Sequence, residues 1–216
     1  MTTATLEPPE VDIDATTETS APVPTDPTDD PSYEASGRNL RVFLTRGLVA
    51  IAWAAVFAAV TSSVTTALTV GAGVLLVAYP LIDVAGSLVD ARSQLGSARR
   101  ILLANAAGST LAAVALAVAA TDGVAAALAV FGIWAITSGA AQLVVAVRRR
   151  ALLGKQWPMR LAGGVSVIGG LAFILSAVSD NPRLGMVVVY AATGGVDFVI
   201  QAWLLARRRR HLTSTS

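Results

Sequence analysis

Two carboxylates lie in stretches of this chain that are otherwise apolar, where an acid can bind and release protons. Asp83 stands nine residues before Arg92, and Asp197 stands ten residues before Arg207. At about 1.5 Å of rise per helical residue, each acid lies about 14 Å from the arginine that follows it. A carboxylate at that depth in hydrocarbon must be protonated or face a partner, and such acids are functional candidates by default. The sharpest hypothesis is therefore a group that senses or relays protons.

Three amide side chains are expected at a similar depth. Asn105 follows Arg100 by five residues, while Gln142 and Gln201 lie in the fourth and sixth apolar stretches. Together with the two acids they would form a polar layer on the inner half of a membrane domain. The alternative is that these groups only form hydrogen bonds between helices, each contributing less than about 1 kcal/mol. The sequence leaves both interpretations open.

Six predicted transmembrane helices must position these groups. The chain has 216 residues, of which 54% are hydrophobic and 14% charged, too little polar surface for a water-soluble domain of this length. A span needs roughly 20 apolar residues, so the sequence has room for about six. We predict an all-α, polytopic membrane fold with spans at 42–60, 66–88, 101–120, 124–146, 159–178 and 184–205.

A segment of different composition precedes the spans. Residues 1–37 contain nine acidic residues, no basic residue and six of the nine prolines. Such a segment cannot bury enough apolar surface to fold. We predict a disordered acidic tail over 1–37, a transmembrane domain over 38–210 and a short C-terminal tail over 211–216.

The basic residues predict an orientation. Fifteen of the sixteen fall on one side when the chain is threaded through six spans, and Arg183 is the exception. By the positive-inside rule both termini are cytoplasmic, in a plasma membrane. The lipid bilayer is the main expected partner, with anionic headgroups at the cytoplasmic arginines. We expect the run from Arg207 to Arg210 to anchor the topology and not to bind nucleic acid. Self-association into a homo-oligomer is left open.

The scarcity of cysteine and histidine argues against several kinds of catalytic and metal site within the membrane. The chain has no cysteine, and its one histidine, His211, follows the last span. Thiolate metal sites, iron–sulfur clusters, histidine-ligated haem and Ser/His proteolysis would need such residues within the membrane. We therefore predict a protein that is not an enzyme and that uses neither a metal nor a cofactor.

Small residues recur every four positions in two of the predicted spans. Such faces let helix backbones approach closely in lipid, so we predict helix packing there, with a substrate path as the alternative. The residues are Ala104, Gly108 and Ala112 in the third span and Ala162, Ser166 and Gly170 in the fifth.

A helical hairpin recurs three times along the chain. Tyr79, Trp134 and Tyr190 are separated by 55 and 56 residues, and each lies in an even-numbered span that ends in arginine. We predict three hairpins, at about 42–88, 101–146 and 159–205. They share one orientation, so the repeat is parallel and differs from the inverted repeats of many transporters.

The repeat resembles the HdeD-type acid-resistance membrane proteins, a family built on a short integral membrane domain of unknown function. The resemblance covers about 38–210. It rests on RGLVAIAW from Arg46, W-A-I-x-S-G-x-x-Q-L-x-x-A from Trp134, R-L-x-G-G-x-x-x-x-G-G from Arg160 and the arginines that end the even spans. It implies a non-enzymatic protein associated with acid or envelope stress resistance. The alternative is a small proton-coupled transporter or channel that uses Asp83 and Asp197.

Overall fold

A computed structural model describes residues 31–61, 68–153 and 157–213. These residues form six α-helices and, within those ranges, no strand. The helices are α1 (Pro31–Thr61), α2 (Val70–Arg92), α3 (Gly96–Ala119), α4 (Val124–Leu153), α5 (Trp157–Ala177) and α6 (Gly185–Thr213).

Each helix contains a segment long and apolar enough to cross a membrane, which confirms the prediction of six spans in an all-α fold. The segments are Leu40–Thr61, Val70–Arg92, Gly96–Ala119, Val124–Val147, Met159–Ala177 and Gly185–Arg207. The protein is thus a multi-pass membrane protein in contact with lipid.

The ends of α2 and α3 differ from the sequence prediction. The second span is predicted at 66–88, but α2 starts after Thr69, whose side chain caps the helix by accepting a hydrogen bond from the Ala72 amide at 3.2 Å. The helix then continues to Arg92, and α3 begins at Gly96, before the predicted residue 101. Polar residues at a membrane interface can remain helical, so hydropathy alone underestimates helix length there.

The outer helices extend beyond the predicted transmembrane domain of residues 38–210. Helix α1 starts at Pro31, and proline suits a first helical position because the missing N–H has no partner there. Helix α6 continues to Thr213, into the segment predicted as a C-terminal tail. The remainder of the predicted N-terminal tail, residues 1–30, lies outside the described residues.

The six helices close a ring in chain order, because α1 packs against α6 as well as against α2. The most extensive packing joins α4 to α5, α1 to α6 and α2 to α3. The two helices of the predicted hairpin 42–88, α1 and α2, pack far less extensively against each other, and so do α5 and α6 of the hairpin 159–205. The helices of each repeat therefore pack mainly against a neighbour from another repeat.

Two pairs of glycines bring α4 and α5 into backbone contact. A Cβ added at Gly170 would lie 2.6 Å from the carbonyl oxygen of Gly132, and one at Gly163 would lie 2.8 Å from that of Gly139. Along each helix the two glycines are seven residues apart. Gly132 pairs with Gly170 and Gly139 with Gly163, so the order is reversed and the helices are antiparallel. Close backbone approach through small residues is a common basis of helix association in lipid.

Aromatic side chains fill the centre of the helix bundle. The Tyr79 centroid lies 5.6 Å from that of Trp134 and 6.2 Å from that of Tyr190, so the three aromatics of the sequence repeat converge. Phe131 and Phe173, both buried, continue this cluster with centroids 5.2 Å apart. The even-numbered helices thus share one core, and polar side chains collect beside it.

The small-residue stripe of α3 is divided: Ala112 is partly buried against the hydrophobic core, whereas the other two residues face away from the neighbouring helices. Ala104 and Gly108 are exposed, and no atom lies within 4 Å of a Cβ placed on Gly108. Helix α3 instead buries Ser109, Ala113 and Leu116. The sequence did not identify the buried face of α3, because a four-residue spacing of small side chains indicates a smooth helix surface but does not show whether a neighbouring helix covers it.

Candidate polar site within the ring of helices

An arginine from α1 reaches two acids on α2. Arg46 Nη1 lies 2.8 Å from Asp90 Oδ2, and its Nη2 lies 3.5 Å from Asp83 Oδ1. Gly86 leaves room for the guanidinium, because a Cβ there would lie 2.7 Å from Arg46 Cζ. The guanidinium carbon also lies 4.6 Å from the ring centroid of Phe198, a cation–π contact with α6. Arg46 therefore joins three helices.

The Asp83 carboxylate accepts hydrogen bonds from a third helix. Its Oδ2 accepts from Asn105 Nδ2 at 2.7 Å and from Ser109 Oγ at 2.8 Å. Ser109 in turn accepts from Trp134 Nε1 on α4 at 2.9 Å. The Asp83 side chain is only 12% exposed, and both its oxygens have partners. This chain of contacts from α1 to α4 satisfies polar groups that would be costly to leave unsatisfied in lipid.

We expect Trp134→Phe to lower the free energy of unfolding by about 1 kcal/mol, because it removes the donor to Ser109 and leaves the ring in the aromatic core. The measurement is reversible unfolding by sodium dodecyl sulfate in mixed micelles, followed by circular dichroism. Trp203→Phe is the matched control, since Trp203 is 51% exposed on the outside of α6 and should change stability little. Equal losses in the two variants would contradict a role for the Trp134 hydrogen bond.

The second acid has a simpler environment. Asp197 Oδ2 accepts one hydrogen bond, from Gln201 Nε2 at 2.5 Å, one turn further along α6. Among the described residues, no lysine or arginine forms an ion pair with Asp197. Asp83 thus has an ion-pair partner in Arg46, which it shares with Asp90, whereas Asp197 has no such partner among the described residues.

A cavity of about 240 Å³ lies beside the aromatic cluster and connects the two acids. Its wall carries both carboxylates, the Arg46 guanidinium and Gln142 from α4. Tyr79, Trp134 and Tyr190 also line it, so the predicted repeat aromatics form part of its surface. We call this space the central cavity.

One side of the central cavity lies between α5 and α6, which pack only slightly against each other. The wall here includes Leu161 and Val165 from α5 and Val196 and Ile200 from α6. All four side chains are exposed. The cavity is therefore bounded on this side by apolar side chains that the neighbouring helices do not cover completely.

The five residues predicted to form a polar layer occur as two hydrogen-bonded pairs and one separate residue on the wall of the central cavity. Asn105 contacts Asp83, Gln201 contacts Asp197, and Gln142 lies on the wall that the two acids share. The structure does not bring the two acids into direct contact.

The small-residue stripe of α5 has mixed surroundings. Gly170 contacts α4, whereas Ala162 lines the central cavity. Ser166 hydrogen-bonds to the Tyr190 hydroxyl and donates to the Ala135 carbonyl at 3.3 Å. The stripe thus serves helix packing and the cavity wall together.

Sequence reasoning missed Arg46, Asp90 and Ser109 as members of the site. Arg46 is one of the fifteen basic residues that predict the orientation, yet it lies within the first predicted span, 42–60, and this position is the signal that marks it as unusual. Ser109 follows Asn105 by four residues and so shares its helix face, a second usable signal. Nothing in the sequence identified Asp90 as the closer partner of Arg46.

No family model matches this chain, and neither a curated protein nor a solved structure matches it. Within the described residues, no three His, Cys, Asp or Glu side chains are grouped so that they could hold a metal ion. The cavity places the Asp197 carboxylate beside aromatic rings. Such a group can exchange a proton or bind a cation.

Proposed function

We propose that this membrane protein is non-enzymatic and supports survival under acid or envelope stress by means of the central cavity. The resemblance to HdeD-type proteins supports the stress role. The observation that supports a role for the cavity is the carboxylate of Asp197, which lines it with Gln201 as its hydrogen-bond donor. An intramembrane acid without a compensating cation costs stability, so its presence favours a functional use.

We further propose that the protein lies in the plasma membrane with both termini in the cytoplasm. The distribution of fifteen of its sixteen basic residues supports this orientation. Arg92, Arg100 and Arg207 then lie on the cytoplasmic side, where anionic headgroups are suitable partners. The central cavity occupies the cytoplasmic half of the domain in this arrangement.

A small proton-coupled transporter or channel is the second candidate. One observation favours it, namely that Asp83, Gln142 and Asp197 face the same cavity. Asp197 is the better candidate for the titrating group, because the oxygens of Asp83 already accept from Arg46, Asn105 and Ser109. Acidification of proteoliposomes that enclose a pH-sensitive dye separates the two candidates, since only a transporter or channel moves protons.

The test is survival of a deletion strain after an acid challenge, complemented by wild type, Asp197→Asn or Asp180→Asn. Asp180 is exposed in the loop before α6 and is the matched control. We expect wild type and Asp180→Asn to restore survival, and Asp197→Asn at equal membrane abundance to leave it at the level of the deletion. Full rescue by Asp197→Asn, or a deletion without an acid phenotype, would count against this function.

A further inference from the structure

We propose that the central cavity binds a monovalent organic cation with a compact apolar body, which enters from the bilayer between α5 and α6. This inference rests on the proposed use of the cavity and names the class of ligand. It follows from the charge, the lining, the size and the position of the cavity.

The charge of the wall favours a cation. Three charged side chains line the cavity, namely Arg46, Asp83 and Asp197, and the Arg46 guanidinium is shared between Asp83 at 3.5 Å and Asp90 at 2.8 Å. The Asp197 carboxyl lines the same cavity, and no lysine or arginine of the described residues forms an ion pair with it. In a region of low dielectric its charged form is favoured by a neighbouring positive charge, which a bound cation supplies, whereas an anion would disfavour that charged form.

The remainder of the wall suits an apolar body attached to that charge. Tyr79, Trp134 and Tyr190 present aromatic rings, whose faces attract cations. Ile82 and Val165 add aliphatic surface. The contact between Arg46 and Phe198 already shows a cation stacked on a ring of this wall.

The size of the cavity limits the ligand. Its volume of about 240 Å³ is below the roughly 300 Å³ at which pockets for drug-sized molecules begin. An ammonium group with one aromatic ring fits this limit, but a phospholipid does not.

The position of the cavity indicates how such a ligand enters. Helices α5 and α6 pack only slightly, and the side chains between them are apolar; Leu161 is 55% exposed and Ile200 is 42% exposed. A hydrated inorganic ion has no favourable contacts on such a route. An organic cation that partitions into the bilayer reaches the Asp197 carboxylate through apolar surroundings.

The test is isothermal titration calorimetry of the full chain in nanodiscs of zwitterionic lipid, with empty nanodiscs as the blank. The probes are benzyltrimethylammonium, neutral benzyl alcohol and anionic phenylacetate, which are similar in size. We expect saturable binding of the cation alone, with an affinity about tenfold lower in Asp197→Asn, equivalent to about 1.4 kcal/mol. Asp180→Asn should bind as wild type does.

Two further variants separate binding from folding. Asp197→Glu keeps the charge and should retain binding, whereas Ala162→Leu keeps the charge but fills the cavity and should weaken it. No saturable binding of the cation to wild type, equal binding by Asp197→Asn, or equal binding of phenylacetate would overturn the inference. If wild type binds no cation but Asp197→Asn still fails to restore acid survival, only the ligand class is wrong. If the cation binds and Asp197→Asn restores survival, the proposed function is wrong and the site remains.

Discussion

Replacing Gly170 with alanine is expected to lower the free energy of unfolding by about 3 kcal/mol, one of the largest single effects in this protein. The added Cβ would lie 2.6 Å from the Gly132 carbonyl oxygen and 2.7 Å from Ile136 Cγ1. The first of these atoms belongs to the backbone of α4, so it cannot move aside without separating the two helices. The loss should appear as unfolding at lower dodecyl sulfate fractions in mixed micelles.

Gly164 on the same helix provides the matched control for Gly170. No atom lies within 4 Å of a Cβ placed there, so alanine meets open space. Because alanine favours the helical conformation over glycine, Gly164→Ala should be neutral or stabilising by up to about 1 kcal/mol. If both variants unfolded at the same dodecyl sulfate fraction, the close contact between α4 and α5 would be refuted.

Asp83→Asn is expected to destabilise the folded protein by about 2 to 3 kcal/mol although the side chain hardly changes size. The substitution removes the ion pair with Arg46, and the new amide has one acceptor oxygen where the carboxylate had two. Its NH2 group then faces donors from Asn105 or Arg46. Arg46 keeps its contact with Asp90, which limits the loss.

The measurement for Asp83→Asn is the same unfolding titration, with Asp122→Asn as the control. Asp122 is exposed in the turn between α3 and α4, so its neutralisation should change the free energy of unfolding by less than about 0.5 kcal/mol. A wild-type unfolding curve for Asp83→Asn would show that the contacts from α1 to α3 do not stabilise the fold.

The number and approximate positions of the helices could be predicted because crossing a membrane imposes a length and a composition on each segment. The lateral order of the helices could not. The packing of α1 against α6, and of α4 against α5, depends on which glycines face each other, such as Gly132 and Gly170. Hydropathy contains no such information, and equally small residues such as Gly108 face outward.

The two acids were predictable as unusual residues, but their different environments were not. Asp83 forms an ion pair with Arg46 and accepts hydrogen bonds from Asn105 and Ser109, all on two other helices, whereas within the described part of the chain Asp197 accepts from its own helix alone. These differences depend on tertiary contacts. Sequence spacing placed both acids at one depth and gave no reason to separate them.

We expect Asp83 to hold the helices together and Asp197 to serve the central cavity. The most direct test is complementation of the same deletion strain with Asp83→Asn or Asp197→Asn. The measured quantity is survival after acid challenge, divided by the amount of folded protein in the membrane. We predict that survival with Asp83→Asn falls only in proportion to its lower abundance. Asp197→Asn should accumulate as wild type does and still fail to protect. Protection by Asp197→Asn in proportion to its abundance would contradict the claim.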